Sequence, residues 1–233
     1  MSLSINTNIA ATRASKHLAS NHQNLQKSLD RLSSGKRIAD ASDDAGGLAV
    51  SMKLEHSING LKGVATGISN GISVLQVMDG VLASAGEIVS RIGELKSMYE
   101  DVTKNTADGD TYESEASALI TQLSSLATNS KFNGITLFDG GAAGGGTDKT
   151  VNLDIDGATT LTITSHNFAT DGTNAAKTSA MVTATGTDLS VTAFDADEIS
   201  TALGEIAALR ATNGGEINRL QFALEDANTQ VTN

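Results

Sequence analysis

The stretch SLDRLSSGKRIADASDDAGGLA, residues 28–49, decides the fold. Its first part completes an amphipathic helical repeat, which Ser33-Ser34-Gly35 interrupts, since glycine is typical just past the end of a helix. Ser42 or Asp43 is the predicted cap of a second helix, with acidic residues in its first turn. We therefore expect two helices joined by a non-helical connector at residues 35–42.

The arm that precedes this connector, residues 3–34, carries the seam of a coiled coil. Seam residues recur at alternating spacings of four and three. They are Leu18, His22, Leu25, Leu29 and Leu32. Because such a helix gains most of its stability from a partner, the four leucines are the candidate assembly seam.

The composition is typical of long helices packed along narrow seams. Aromatic residues make up 3% of the chain, and the apolar content comes mainly from isoleucine, leucine, valine and alanine. There is no proline, which permits long uninterrupted helices. There is no cysteine either, which excludes a disulfide framework and a thiolate metal site.

The charge is unevenly distributed. The chain carries a net charge of −11, yet its first 37 residues hold six Lys or Arg and one acidic residue. A basic start is also typical of an organelle transit peptide, but the motif continues through residue 49 without a cleavage site. A nucleic-acid arm would need aromatic residues to stack on bases, and the arm has none. No run approaches about 18 continuous apolar residues, so we expect no membrane insertion.

Residues 44–104 are predicted to form the longest helix, with two apolar stripes. The first stripe consists of Ile58, Leu61, Ala65, Ile68, Ile72 and Leu75. The second consists of Val74, Met78, Val81, Ala85, Ile88, Ile92, Leu95, Tyr99 and Val102. We expect a turn at residues 105–110 and a shorter helix at 111–129.

Residues 197–233 return to a helical pattern whose seam again alternates four and three. The seam consists of Ile199, Leu203, Ile206, Arg210, Asn213, Ile217, Leu220, Leu224, Ala227 and Val231. Two of these residues, Arg210 and Asn213, are polar, and a polar residue in such a seam often fixes the register of the helices.

Residues 139–195 differ in character from both helical regions. Val151, Leu153 and Ile155 alternate with polar residues, and Asp156-Gly157 predicts a turn into a second strand. Asn152, Asp154, Asp156 and Gly157 also match the opening of a calcium-binding loop. The position that needs a bidentate glutamate in such a loop falls on Ile163, however, which excludes an ordinary EF-hand. We therefore predict a hairpin here, with a further strand or two in residues 180–194.

Four segments resemble bacterial flagellins: residues 28–49, Asn6-Thr7-Asn8, KFNGITLF at 131–138 and RATNGGEINRL at 210–220. The resemblance covers roughly residues 1–140 and 197–233. It implies a mainly α fold, an elongated rod of long antiparallel coiled-coil-like helices with a small β-hairpin-rich insert.

The same resemblance implies a division into domains. Residues 1–42 form the N-terminal arm, which is half of the terminal domain of the filament core. The helical rod domain comprises residues 43–138 and 197–233, and the variable β-rich insert comprises residues 139–196.

The resemblance further implies a structural subunit of the flagellar filament. It is exported by the flagellar secretion system and assembles outside the cell into a helical tube for motility. Its partners are other subunits, the export machinery and an export chaperone. A hook–filament junction protein and a flagellin-like surface adhesin are the alternatives, and Phe168 and Phe194 are the aromatic residues that an adhesin cleft would use. Members of the family continue with a final helix that pairs with the arm. We therefore expect this chain to lack that helix and not to form normal filaments alone.

The sequence offers no catalytic constellation. Its four histidines are scattered without a His-Glu-x-x-His motif, and the glycine run at 140–146 lacks the residues of a phosphate loop. No base or nucleophile elbow accompanies any serine. We expect no enzyme activity, no metal and no cofactor.

A vertebrate Toll-like receptor recognises the family through an arginine and a leucine on the long helix. The resemblance therefore makes Arg91, Glu94 and Leu95 candidate receptor contacts. An acidic partner position on the next helix falls on Leu119, and a basic one on Leu123. In the alternative interpretation, Arg91 is a solvated surface charge and Leu95 is a core residue, since Leu95 also belongs to the second stripe.

Overall fold

The structure is a computed structural model that describes residues 8–138, 148–164, 168, 176–183, 189 and 194–233. This part of the chain is mainly α, as predicted. The helices are α1 (Ile9–Ser34), α2 (Ala45–Tyr99), α3 (Thr106–Asn129), α4 (Ala176–Thr183) and α5 (Ala196–Thr232). The strands are β1 (Lys131–Phe132), β2 (Ile135–Thr136), β3 (Lys149–Asn152) and β4 (Thr160–Ile163). The chain divides into two compact units, residues 1–58 and 59–233.

The first unit begins with α1, which has a defined cap at each end. The side-chain oxygen of Asn8 accepts hydrogen bonds from the backbone N–H groups of Ala10 and Ala11 at 3.1 and 3.2 Å. Gly35 ends the helix with φ of 65°, the left-handed conformation that glycine adopts without strain. The predicted helix end at Ser33-Ser34-Gly35 is therefore confirmed.

The start of α2 corrects the predicted cap. Neither Ser42 nor Asp43 caps the helix. Instead the Asp44 carboxylate accepts a hydrogen bond from the Gly47 N–H at 2.8 Å, and the Asp44 carbonyl accepts from the Leu48 N–H at 3.0 Å. Asp43 is occupied by ion pairs with α1, so the cap moves to the next acidic residue.

In the second unit α5 packs antiparallel to α2, because residues of higher number in α5 contact residues of lower number in α2. A Cβ built on Gly93 would lie 3.1 Å from Ile199, and one on Gly71 would lie 3.3 Å from Leu220. Between these two levels Arg210 pairs with Asp79. Glycine therefore lets α5 approach the backbone of α2 closely.

The predicted stripes form the core of this unit. Buried residues of α2 include Leu61, Ile68, Leu75, Met78, Ala85, Ile92 and Leu95, and those of the α5 seam include Ile199, Ile206, Asn213, Leu220 and Ala227. Two predicted positions are exceptions: Arg210 of the α5 seam is exposed, and Val102 is 97% exposed. The helix was predicted to run to residue 104, but it ends at Tyr99, and Val102 lies in the following loop.

Helix α3 begins earlier than predicted. Asn105 and Asp108 form a capping box, in which each side chain accepts a hydrogen bond from the other residue's N–H, at 3.0 and 3.2 Å. Residues 106–110, predicted as part of a turn, are therefore the first turn of the helix, since the box satisfies two otherwise unpaired donors.

Two antiparallel hairpins lie in the second unit. In the predicted one, β3 pairs with β4 so that Val151 faces Leu161, and Gly157 in its loop has φ of 68°. Pattern analysis did not predict the other, β1–β2. Its turn is Asn133-Gly134, with φ of 49° and 79°, and an Asn-Gly pair is a strong hairpin signal.

The prediction of a strand or two in residues 180–194 is wrong for residues 180–183, because they belong to helix α4. The Glu205 carboxylate of α5 accepts hydrogen bonds from the N–H groups of Lys177 and Thr178 at 3.0 and 3.1 Å. A carboxylate from another helix thus satisfies the free donors of the α4 N-terminus. The remaining positions of that prediction, 184–188 and 190–193, lie outside the described residues.

Candidate assembly and recognition surfaces

The candidate assembly seam lies on α1 and faces solvent. Leu18, Leu25, Leu29 and Leu32 are 62%, 59%, 51% and 80% exposed, and α1 buries no residue. A soluble helix seldom presents four leucines in one row to water, because each would gain about 1.5–3 kcal/mol on full burial. The geometry therefore leaves the seam available to a partner helix.

The motif at residues 28–49 joins α1 to the start of α2 through charge. Asp43, whose side chain is only 10% exposed, pairs with Arg31 at 3.1 Å and with Lys27 at 3.5 Å. The hydrogen bond from Arg31, aided by Lys27, holds the pKa of Asp43 below its usual value. Lys36 adds an exposed pair with Glu55 at 3.4 Å. Three basic residues near the end of the arm, Lys27, Arg31 and Lys36, thus have acidic partners within the first unit.

The candidate receptor surface lies where α2 meets α3. The Arg91 guanidinium donates to Glu115 from Nε and Nη2 at 2.9 and 2.8 Å, and to Glu94 from Nη1 at 2.8 Å. These hydrogen bonds, that of Glu94 first, raise the pKa of Arg91. The three side chains are 41–58% exposed, so the cluster is accessible.

Two details differ from the pattern expected for this surface. Leu95 is fully buried and belongs to the core, as in the alternative interpretation. The acidic residue beside Arg91 is Glu115. The family resemblance placed the acidic position at Leu119, which is half-buried. Sequence reasoning missed Glu115 because the neighbour of Arg91 is set by how α3 packs on α2, which no pattern within either segment contains.

The acidic residues that resembled a calcium loop instead close the β3–β4 hairpin. The Asp154 carboxylate accepts hydrogen bonds from the N–H groups of Ala158 and Thr159 at 3.0 and 2.8 Å. The bonds from Thr159 lower the pKa of Asp154. Within the residues that the structure describes, no three His, Cys, Asp or Glu side chains group closely enough to hold a metal ion.

The aromatic residues proposed for an adhesin cleft are buried. Phe168 and Phe194 are both fully buried. Phe168 packs edge-on against Phe138, with ring centroids 5.2 Å apart and planes at 75°. They stabilise the core and do not line an open cleft.

Helix α2 is long and apolar enough to span a membrane by length and composition alone, since an 18-residue window reaches a mean hydropathy of 1.4. One such helix is weak support for a span, because the core helix of a soluble protein passes the same test. Gly71 and Gly93 of α2 lie against side chains of α5, and the apolar stripes of α2 belong to the core of the second unit, which explains an apolar helix without a membrane.

Comparison with known proteins relates the chain to one family. Residues 5–143 match the family model described as the bacterial flagellin N-terminal helical region. The flagellin of Listeria monocytogenes is 30% identical over 238 residues, which cover 98% of this chain and 82% of that protein. Polar flagellin F of Vibrio parahaemolyticus is 34% identical over 140 residues, or 60% of this chain.

The chain spans 37% of the length of the Vibrio protein, so the match there is confined to part of it. Among solved structures, the crystal structure of Bacillus cereus flagellin is similar with a TM-score of 0.58 and 26% identity. That similarity covers 68% of this chain and 86% of the other.

Proposed function

The chain belongs to the bacterial flagellin family, and from that premise we propose that it is a structural subunit of the flagellar filament. Flagellins are structural proteins and not enzymes. In this proposal the subunit lies outside the cell, where copies stack into a helical tube that serves motility.

The exposed leucine seam of α1 carries the proposal. Four leucines at more than half exposure along one helix, with no buried residue in α1, describe a surface that is completed by association. A filament supplies that association through other flagellin subunits. We assign residues 1–42 to the terminal domain, 43–138 and 197–233 to the helical domain, and 139–196 to the variable insert.

The other partners follow from the same premise. An export chaperone and the flagellar secretion system would handle the chain before assembly. A hook–filament junction protein is not favoured, because the similar proteins are flagellins over as much as 98% of this chain. An adhesin is not favoured either, because Phe168 and Phe194 are buried in the core.

The experiment replaces Leu25 and Leu29 with aspartate and compares this variant with Ser20→Asp/Gln23→Asp. The control changes exposed residues on the opposite face of α1 and adds the same charge. Salted-out chains and chains added to short filament fragments are examined by sedimentation and electron microscopy. We expect the control to associate like the parent chain and the seam variant to stay soluble. Equal association of both variants would contradict the proposed role of the seam.

A second function, contact with a Toll-like receptor, is supported by the exposed cluster of Arg91, Glu94 and Glu115. Arg91→Ala should weaken receptor activation in a reporter-cell assay. Arg210→Ala is the matched control and should leave activation unchanged. Arg210 is a similarly exposed arginine with its own carboxylate partner, Asp79, between α5 and α2. Equal loss in both variants would indicate damage to the fold and not loss of a contact.

A further inference from the structure

Phe222 is exposed in a chain that otherwise buries its phenylalanines or packs them against the core. It lies on α5, outside the predicted seam, and is 72% exposed. Phe138, Phe168 and Phe194 are at most 1% exposed, and Phe132 packs against the core. Exposed aromatic residues are the usual anchors of protein interfaces. A single one needs a matching recess before a partner can be assigned.

The second unit contains such a recess between α2 and the two hairpins. Its volume is 540 Å³. Gly67 and Gly71 of α2 line it, together with Ile135 of β2 and Val151 of β3. Ile135 is 55% exposed. A Cβ built on Gly71 would meet Val151 at 2.8 Å, whereas one on Gly67 would meet nothing within 4 Å. The groove is therefore open above Gly67.

We propose that this groove receives Phe222 of a second copy of the chain. The inference rests on the proposed function and adds the contact through which neighbouring subunits meet. Lys149 is the charged residue among those lining the groove. Glu225 and Asp226 follow Phe222 by one helical turn on the same exposed face. Within the described residues neither Lys149 nor Glu225 forms an ion pair, so the charges are complementary and available.

The positions of anchor and groove also fit a repeating contact. Within one copy Leu220 lies against Gly71, which lines the groove, so Phe222 is at about the same level along α2 as the groove. Anchor and groove are different surfaces of one chain, so each copy can give one contact and receive another. Such a heterologous contact adds subunits without limit unless it closes into a ring. It would therefore serve lateral contact in a helical tube.

A photocrosslinking benzoyl group placed at position 222 tests the contact directly. The full chain is brought to associate by salting-out, irradiated and digested, and the joined peptides are identified by mass spectrometry. We expect crosslinks from residue 222 to peptides that contain Gly67–Val74 or Phe132–Val151. The same group at Val77, which is 40% exposed on α2, is the control and should not give them.

Matched variants measure the strength of the contact. Phe222→Ala should weaken association by about tenfold or more, as loss of an interface anchor does. Gly67→Leu should weaken it by filling the groove. Gly80→Leu should not, although Gly80 is an equally open glycine of α2. Lys149→Glu should also weaken association, and Lys149→Glu combined with Glu225→Lys should restore it.

The outcomes separate the two proposals. If the chain associates but residue 222 crosslinks elsewhere, or Phe222→Ala and Gly67→Leu associate normally, the groove contact is overturned and the filament function stands. If the chain does not associate under any condition, both are overturned. Crosslinks to the groove, together with selective loss in these two variants, support the contact.

Discussion

Arg210 and Asp79 lie 131 residues apart in sequence and form a bidentate ion pair between α5 and α2. Arg210 Nε lies 2.8 Å from Asp79 Oδ1, and Nη2 lies 3.1 Å from Oδ2. The pair sits beside the buried seam and marks one register of the two helices. The hydrogen bond from Arg210 lowers the pKa of Asp79 and its carboxylate raises the pKa of Arg210.

This pair predicts a loss of stability in acid. Because the pKa of Asp79 is lowered on folding, a fall in pH protonates Asp79 in the unfolded chain before it does so in the folded chain. The stabilisation is complete above the unfolded value, about 3.9, and is lost as the pH falls through the lowered folded value. Asp79→Asn should cost up to about 1 kcal/mol at neutral pH, as for other largely exposed pairs.

The free energy of unfolding, measured by urea titration of both chains between pH 7 and pH 2, checks this prediction. The two curves should converge below the lowered pKa of Asp79. A difference between the chains that is independent of pH would show that the carboxylate contributes through packing and not through its charge.

Asn213 predicts a stabilising substitution. It is 5% exposed in the α5 seam, and its Nδ2 has no hydrogen-bond partner among the described residues. A buried donor without a partner costs about 1–3 kcal/mol. Asn213→Leu should therefore raise the melting temperature, whereas Thr212→Leu on the exposed face should leave it nearly unchanged. A fall in melting temperature for Asn213→Leu would mean that the amide is satisfied in solution.

The contacts of Lys96 predict that its substitution destabilises the fold. Its Nζ donates to the Leu189 carbonyl at 2.9 Å and pairs with Glu100 and Asp195 at 2.8 and 3.5 Å, while the side chain is 8% exposed. Burial opposes its charge, but the two carboxylates outweigh burial and raise the pKa of Lys96.

Lys96→Met would leave the Leu189 carbonyl without its donor and should cost about 1–3 kcal/mol. Lys104→Met, at an exposed loop position without an ion pair among the described residues, should cost less than about 0.5 kcal/mol. Thermal unfolding followed by circular dichroism compares them. Equal stability of the two variants would contradict a structural role for the buried lysine.

Local patterns predicted the elements that local physics determines. The 4-3 repeats identified the buried faces of α2 and α5, and Asp156-Gly157 marked the turn of the β3–β4 hairpin. The capping box of α3 was also present in the sequence, as Asn105 and Asp108, but the turn-like composition around it led to the wrong boundary.

Other features depend on residues that are distant in sequence. Helix α4 is short, and its N-terminal donors are satisfied by Glu205, 28 residues beyond Lys177. The neighbour of Arg91 is likewise set by how α3 packs on α2, which places Glu115 beside it. No spacing rule within a single segment contains that information, so neither feature could be predicted from local pattern.

The adjacent glycines 46 and 47 predict opposite responses to the same substitution. A Cβ on Gly47 would lie 2.9 Å from Ile38 Cδ1 and closer still to the Asp44 carboxylate, whereas one on Gly46 would make an ordinary contact at 3.6 Å. Alanine is favoured over glycine in a helix by about 1 kcal/mol. Gly46→Ala should therefore stabilise the start of α2.

Gly47→Ala should instead displace the Asp44 side chain and break its hydrogen bond to the residue 47 N–H, a loss of about 0.5–2 kcal/mol. Amide hydrogen exchange over residues 44–52 reports this locally, whatever the stability of the second unit. Protection should rise for Gly46→Ala and fall for Gly47→Ala. Because the two residues are neighbours in one helical turn, equal responses would show that propensity alone governs this helix start and that the Asp44 cap contributes little.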